Sequence, residues 1–258
     1  MHIFTKDSGK QNFSKAHLRT LSSLLLFMFF CMTSYAQTII SAGGQHTLAI
    51  KTDSTLWSWG ANSSGQLGLG SSYDQQSSPL QVGTEHWIQI AVGAEHSLAI
   101  KADSTLWAWG TNSNGQLGDG SGLDQNAPVQ IGTSKWIHIA AGDYHSLGVR
   151  SDGTLWSWGQ NAYGQLGISN TTSQSSPVQV GIGNNWISIA AGSGHSLAIK
   201  SDGSLWTWGR NNLGQIGDAS QTTRTSPVRI GIATWVAIAG GQYHSLAIKT
   251  DGTLWSWG

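Results

Sequence analysis

Only one cysteine and four prolines occur in the 258 residues, and only 10% of positions are charged. The cysteine, Cys31, lies in the N-terminal leader segment. The rest of the chain therefore has no means of forming a disulfide, a thiol nucleophile or a Cys-based zinc site. The 13 basic and 13 acidic residues cancel. No basic stripe is available to displace counterions, which argues against a nucleic-acid partner. Helical periodicity and helix-cap signatures are missing too, so an α architecture is not expected. What abounds instead is glycine, 34 residues, and tryptophan, 14 residues. Disordered chains have few aromatics and much charge, so this balance predicts a packed, turn-rich, all-β protein.

The first 36 residues have a different composition. Lys6, Lys10, Lys15 and Arg19 precede the apolar run Leu24 to Met32, "LLLFMFFCM", and "TSYAQ" follows with small residues at Ser34 and Ala36. This is the layout of a secretory signal peptide over 1–36, with cleavage after Ala36 and a mature chain from Gln37 to Gly258. The run is short for a bilayer, so no permanent membrane anchor is expected. Phe30 before Cys31 is not the small residue that a lipid-attachment cysteine follows, which ranks a lipoprotein below plain secretion. The mature part keeps nine basic against twelve acidic residues, a net charge of −3.

From Thr38 onward one phrase recurs. His46, His96, His145, His195 and His244 stand 50, 49, 50 and 49 residues apart, and the second Trp of each "WxW" pair keeps step. Within a period four short strand-like runs appear. In one copy these are "PVQIG" (128–132), "WIHIAAG" (136–142), "HSLGVR" (145–150) and "TLWSWG" (154–159). The Asp-Gly of "SDG" suits a tight hairpin. Pro79, Pro128, Pro177 and Pro227 are read as opening the first strand, where a missing N–H is tolerated. Four antiparallel strands per ~50 residues, repeated, predict the four-stranded blades of a β-propeller. Alternation puts Trp156 and Trp158 on one face of a blade and Leu155 and Ser157 on the other. All ten tryptophans of the pairs are assigned to the core between blades.

The motifs "AAGxxHSLAI", "DGTLWSWGxNxxGQLG" and "SPVQVG" over residues 38 to 258 resemble the repeat of the regulator of chromosome condensation family. The resemblance implies a propeller of seven blades, often closed by pairing strands from both chain ends. This chain departs from that count, with four full units and one partial. The last copy ends at "WSWG" without "GQLG" or a proline-led strand, and the first set, from Thr38, is read as lacking its own proline-led strand. Two or more further repeats downstream are therefore expected.

Candidate chemistry is sparse. Five histidines, one per unit, form a ring rather than a cluster, whereas metal ligands converge on one ion. Each is read as bonding backbone across a turn. Asp53, Asp103, Asp152, Asp202 and Asp251 are read as turn formers. "DGSGLDQN" (119–126) lacks the closing Glu of a calcium loop, and "GQLG" lacks the Lys-Ser/Thr of a phosphate loop. "SDGTLW" is only a loose aspartate box, and four arginines are few for a sialidase triad. No catalytic residue, metal or cofactor is expected.

The copies differ most in the loops after "GQLG", which should share one face with the "GxxH" turns. Variable loops on a repeated scaffold are the usual arrangement of a binding surface. Candidate contacts there are Tyr73, Asp74, Glu95, Tyr144, Tyr163, Arg210, Arg224 and Tyr243. The expected function is a secreted, non-enzymatic module binding a protein partner. The family resemblance also implies nucleotide-exchange activity on a small GTPase, which a secreted chain would not meet. A carbohydrate-binding propeller is the third reading, and it would need exposed tryptophan.

Overall fold

The computed structural model describes residues 38–70 and 75–258. The expected leader (1–36) and the mature start at Gln37 lie outside the described residues. Among the described residues no helix is long and apolar enough to cross a membrane.

Among the described residues, eighteen strands form five consecutive antiparallel groups. The first contains β1 (Ile39–Ala42), β2 (His46–Ile50), β3 (Leu56–Gly60) and β4 (Gln76–Gln81), hydrogen-bonded in that order. The second contains β5 (Trp87–Val92), β6 (His96–Lys101), β7 (Thr105–Gly110) and the first part of β8 (Gln125–Ala141). β8 is 17 residues long and serves two blades. Gln125 to Lys135 pairs with β7, and Trp136 to Ala141 opens the third blade. That blade continues with β9 (His145–Arg150), β10 (Leu155–Gly159) and β11 (Gln174–Gln179). The fourth contains β12 (Trp186–Ala191), β13 (His195–Lys200), β14 (Leu205–Gly209) and β15 (Arg224–Arg229). The fifth has three strands, β16 (Trp235–Gly240), β17 (Ser245–Lys249) and β18 (Leu254–Trp257).

The strands are phased differently from the sequence reading. Each proline-led strand pairs backward with the "WxWG" strand before it, as in Ser58↔Leu80 and Ser157↔Val178. It is the outer, edge strand of that blade, so the set opening at Thr38 has its own, and among the described residues the last set is the one without it. Proline is not the first residue but the fourth, as Pro177 in Gln174–Gln179 shows. An edge strand tolerates it because one side of its backbone has no ladder partner.

Neighbouring blades pack face to face. Leu48, Ile50 and Leu56 of the first blade share a cluster with Trp87, Ile90 and Trp109 of the second. Leu147, Val149 and Leu155 of the third pack against Trp186 and Trp208 of the fourth. At the inner strands glycine is obligatory. A methyl on Gly93 would overlap the His96 ring and the Gly142 carbonyl. These inner strands line an open pocket of about 480 Å³ whose walls include Gly43, Gly93, Gly142 and Gly192.

The "GQLG" phrase has an equally local cause. In the third copy Gly164 and Gly167 have φ of +72°, and a side chain at Gly167 would meet the Trp208 indole of the next blade. Asn161 Oδ1 accepts the Leu166 N–H, and Gln165 Oε1 accepts the Tyr163 N–H. The carbonyl of Gln165 is thereby aimed at the next blade.

Candidate interaction face

Between blades the repeat builds one polar device four times. Nε2 of His46, His96, His145 and His195 lies 2.8, 3.0, 2.9 and 2.9 Å from Oγ of Ser97, Ser146, Ser196 and Ser245 in the following blade. Each serine donates its single proton to the carbonyl of Gln66, Gln116, Gln165 or Gln215. The same carbonyls accept Nε1–H of Trp109, Trp158, Trp208 and Trp257. The serine must therefore accept from histidine, which fixes the Nε2–H tautomer and leaves Nδ1 as a buried lone pair without a partner. The histidines thus bond a hydroxyl of the next blade rather than backbone across a turn.

A Ser–His pair at this distance is the geometry of an activated nucleophile, but the surroundings rule out that use. His96, His145 and His195 and all four serines are 0% exposed, and each serine proton is already given to a carbonyl. Burial lowers the pKa of His46 and His195 to about 4 and of His96 and His145 to about 3. A second ring proton would have no acceptor, so the rings stay neutral and structural.

Hydrogen bonds define two opposite faces. On one, the Asp hairpins meet the blade-to-blade links, through Trp136 N–H to Ser104 O and Trp186 N–H to Gly153 O. Asp152 Oδ1 accepts the N–H and hydroxyl of Thr154, whose Oγ1 accepts Nε1–H of Trp156. Those hydrogen bonds hold Asp152 below the ordinary carboxylate range. The Arg150 guanidinium lies 3.4 Å over the Trp156 ring, and Lys51, Lys101, Lys200 and Lys249 cover Trp57, Trp107, Trp206 and Trp255 in the same way. The first tryptophan of each pair is therefore half-buried under a cation, or 48% exposed at Trp255, and Trp107, Trp156 and Trp206 pack against the core clusters from their edge rather than inside them. The second is fully buried at Trp109, Trp158 and Trp208.

On the other face the "GxxH" turns meet the residue after "WxWG", through Thr111 N–H to Glu95 O, Gln160 N–H to Tyr144 O and Arg210 N–H to Gly194 O. The long loops spring from the same end. The loop that faintly resembled a calcium site closes on itself. Asp119 accepts Asn112 Nδ2, the Ser121 N–H and hydroxyl, and Gln125 Nε2. Burial raises the Asp119 pKa, but those donors outweigh it and hold the carboxyl below its usual range.

Residues 28–258 match the family model of the RCC1-like domain. The chain belongs to that family. The human crystal structure of WBSCR16 superposes with a TM-score of 0.76 at 25% identity, over 85% of this chain and 59% of that one. Yeast RCC1 (Prp20), solved bound to Kap60, superposes with a TM-score of 0.66 at 24% identity, over 86% of this chain and 70% of that one. Among curated proteins, the human probable E3 ubiquitin-protein ligase HERC6 is 46% identical over 52 residues, 20% of this chain and 5% of its own length. The Arabidopsis thaliana ultraviolet-B receptor UVR8 is 49% identical over 43 residues, 17% of this chain and 10% of its own.

On this RCC1-like scaffold the sequence-predicted contacts separate. Tyr73 and Asp74 lie outside the described residues. Glu95 accepts the Thr111 hydroxyl at 3.2 Å. Tyr144 is exposed in its turn. Arg224 is held by Asp218, with Nη2 at 2.6 Å and Nε at 2.7 Å from Oδ2, so its charge is used within its own loop. Three of the set come together. The Arg210 guanidinium lies 5.0 Å from the Tyr163 ring and 5.6 Å from the Tyr243 ring. The sequence reading missed Gly194, buried beneath Tyr163 and Arg210. Its signal was present: Gly194 stands in the "GxxH" register where other copies carry Glu95, Tyr144 and Tyr243. Half-exposed Leu213, in the register of Tyr163, was missed too.

Proposed function

We propose that this RCC1-like chain is a secreted, non-enzymatic module that binds a protein partner through the face carrying the "GxxH" turns and the loops after "GQLG". One observation carries the reading. The His–Ser–Gln–Trp device repeats unchanged at four interfaces, whereas the side chains displayed above it change from copy to copy. A fixed frame with varied loops is suited to recognition. The solved complex of yeast RCC1 with Kap60 is consistent with a protein partner for this fold. Export is supported by the three-part leader over 1–36. Among the described residues, the exposed aromatics of the loop face are the tyrosines Tyr144, Tyr163 and Tyr243, which favours a protein partner over a carbohydrate needing tryptophan platforms.

Two experiments test this. N-terminal sequencing of exported material should begin at Gln37, and retention in the cytoplasm with an intact leader would instead favour a GTPase regulator. Affinity capture with the exported chain should recover a protein whose binding is lost on substitution of loop-face residues. A glycan array that lights up while no protein is captured would overturn the reading.

A further inference from the structure

Nine lysines and arginines lie between Gln37 and Gly258, and the fold sorts them by face. Lys51, Lys101, Arg150, Lys200 and Lys249 stack on tryptophans at the Asp-hairpin end. Lys135 donates to the Asp103 carbonyl there, and Arg229 acts on Asp202. That leaves Arg210 and Arg224 on the loop face, and Arg224 is neutralised by Asp218. The acids of the loop face are also occupied. Glu95 accepts from Thr111, Asp119 from Asn112, Asp124 from the Asn112 N–H and Asp143 from Ser193.

Among the described residues, Arg210 is thus the one charged group of this face whose Nη donors no protein group takes. Its Nε–H goes to Asn212 Oδ1 at 2.7 Å, and no carboxylate lies within 4.0 Å of its guanidinium. The two rings beside it are 40% exposed at Tyr163 and 41% at Tyr243. They come from different blades, so the cluster spans three successive units. Arg210 has no counterpart in the other copies, which carry Ala61, Thr111 and Gln160 after "WxWG", and the turn below it lacks a side chain. The Tyr163 ring sits 3.3 Å from where a Gly194 Cβ would be, and the Arg210 Cβ 3.5 Å.

We infer that Arg210, flanked by Tyr163 and Tyr243 above Gly194, is a receptor for a single carboxylate side chain on an acidic–apolar segment of the protein partner. The inference rests on the loop face being the binding face. Aromatic rings beside a guanidinium cover its apolar planes while leaving the two Nη groups to donate in parallel, which matches a carboxylate. The neighbouring acids disfavour a polyanion, and the phenyl rings with half-exposed Leu213 suit apolar residues on either side of the acid.

The test uses the full exported chain and a fluorescein-labelled, end-blocked peptide with one glutamate between apolar residues, beside its glutamine and phosphoserine counterparts. Anisotropy titrations should show the glutamate peptide binding at least tenfold more tightly than the glutamine one. Arg210→Gln should erase that preference, and Arg210→Lys should retain only part of it. Gly194→Tyr, which fills the hollow, should weaken the glutamate peptide about tenfold without moving the thermal midpoint by more than about a degree. Equal binding of the glutamate and glutamine peptides, no binding of either at millimolar concentration, or a tenfold preference for phosphoserine would each overturn the proposal. A natural partner captured equally by wild type and Arg210→Gln, but lost on other loop-face substitutions, would sink the carboxylate site and leave the broader reading standing.

Discussion

Each buried histidine bonds forward into the next blade, and two predictions follow at the scale of the residue. Replacing Ser146 by Ala removes the acceptor of His96 Nε2–H and one donor to Gln116 O. A buried donor left unmade costs about 1–3 kcal/mol. Ser146→Ala should lower the thermal midpoint by several degrees, at roughly 2–4 °C per kcal/mol for a unit of this size. The second prediction concerns pH. Burial lowers the four folded-state histidine pKa values from 6.5 to about 3 or 4. The unfolded chain therefore binds protons first as pH falls. The stability these rings contribute is complete above about pH 6.5 and is lost as pH drops toward 4, by up to about 1.4 kcal/mol per pH unit for each histidine. Urea midpoints should fall steeply from pH 7 to pH 5, and more gently in His145→Gln. A pH-independent midpoint across that range would contradict neutral burial. The turn aspartates, held low by hydrogen bonds, lose their contribution only at lower pH.

At the scale of the element, the Asp hairpins show one turn written two ways. The residue after Asp is glycine in three copies, with φ of +80° at Gly153, +77° at Gly203 and +84° at Gly252. In the first two copies it is Ser54 and Ser104, both at φ +67°. The turn bond is the same, Ser54 N–H to Lys51 O in one and Gly153 N–H to Arg150 O in the other. A non-glycine residue there pays about 1–2 kcal/mol in sterics, partly offset because glycine loses more freedom on folding. Ser54→Gly and Ser104→Gly should each stabilise the chain by roughly 0.5–1 kcal/mol in denaturant titrations. Destabilisation by either would mean that the serine side chain compensates for its backbone.

Across the whole molecule, blades interact with their sequence neighbours, so stability is approximately a sum of blade and interface contributions. Position within the array should then set the cost of a tryptophan. Trp208 is 0% exposed between the third and fourth blades, whereas Trp255 of the fifth is 48% exposed. Trp208→Ala should cost about 3–5 kcal/mol, the range for a buried aromatic truncated in a core. Trp255→Ala should cost less than about 1.5 kcal/mol, measured by the same unfolding titration. Comparable losses would show that the outer position is as structural as the inner one.

The sequence alone determined what is local and what is periodic. A 49–50-residue period, two-residue alternation in "LWSW" and turn formers such as Asp152-Gly153 are set by backbone sterics and by hydrogen bonds two or three residues apart. The face bearing the variable loops was legible for the same reason, because strand order dictates which connections share an end. Tertiary structure decided what depends on residues brought together from separate strands and blades. The proline-led strand pairs backward with "WxWG" because the "GQLG" loop folds the chain back along the blade it has just built. His145 meets Ser196 only once blades stack, and stacking also buries Trp158 while leaving Trp156 under Arg150. Of the eight candidate contacts, Tyr163, Arg210 and Tyr243 were joined by three blades converging above a glycine, whereas Arg224 was captured by Asp218 within its own loop. Composition ranked those two arginines equally, and only the distance to a carboxylate separates them.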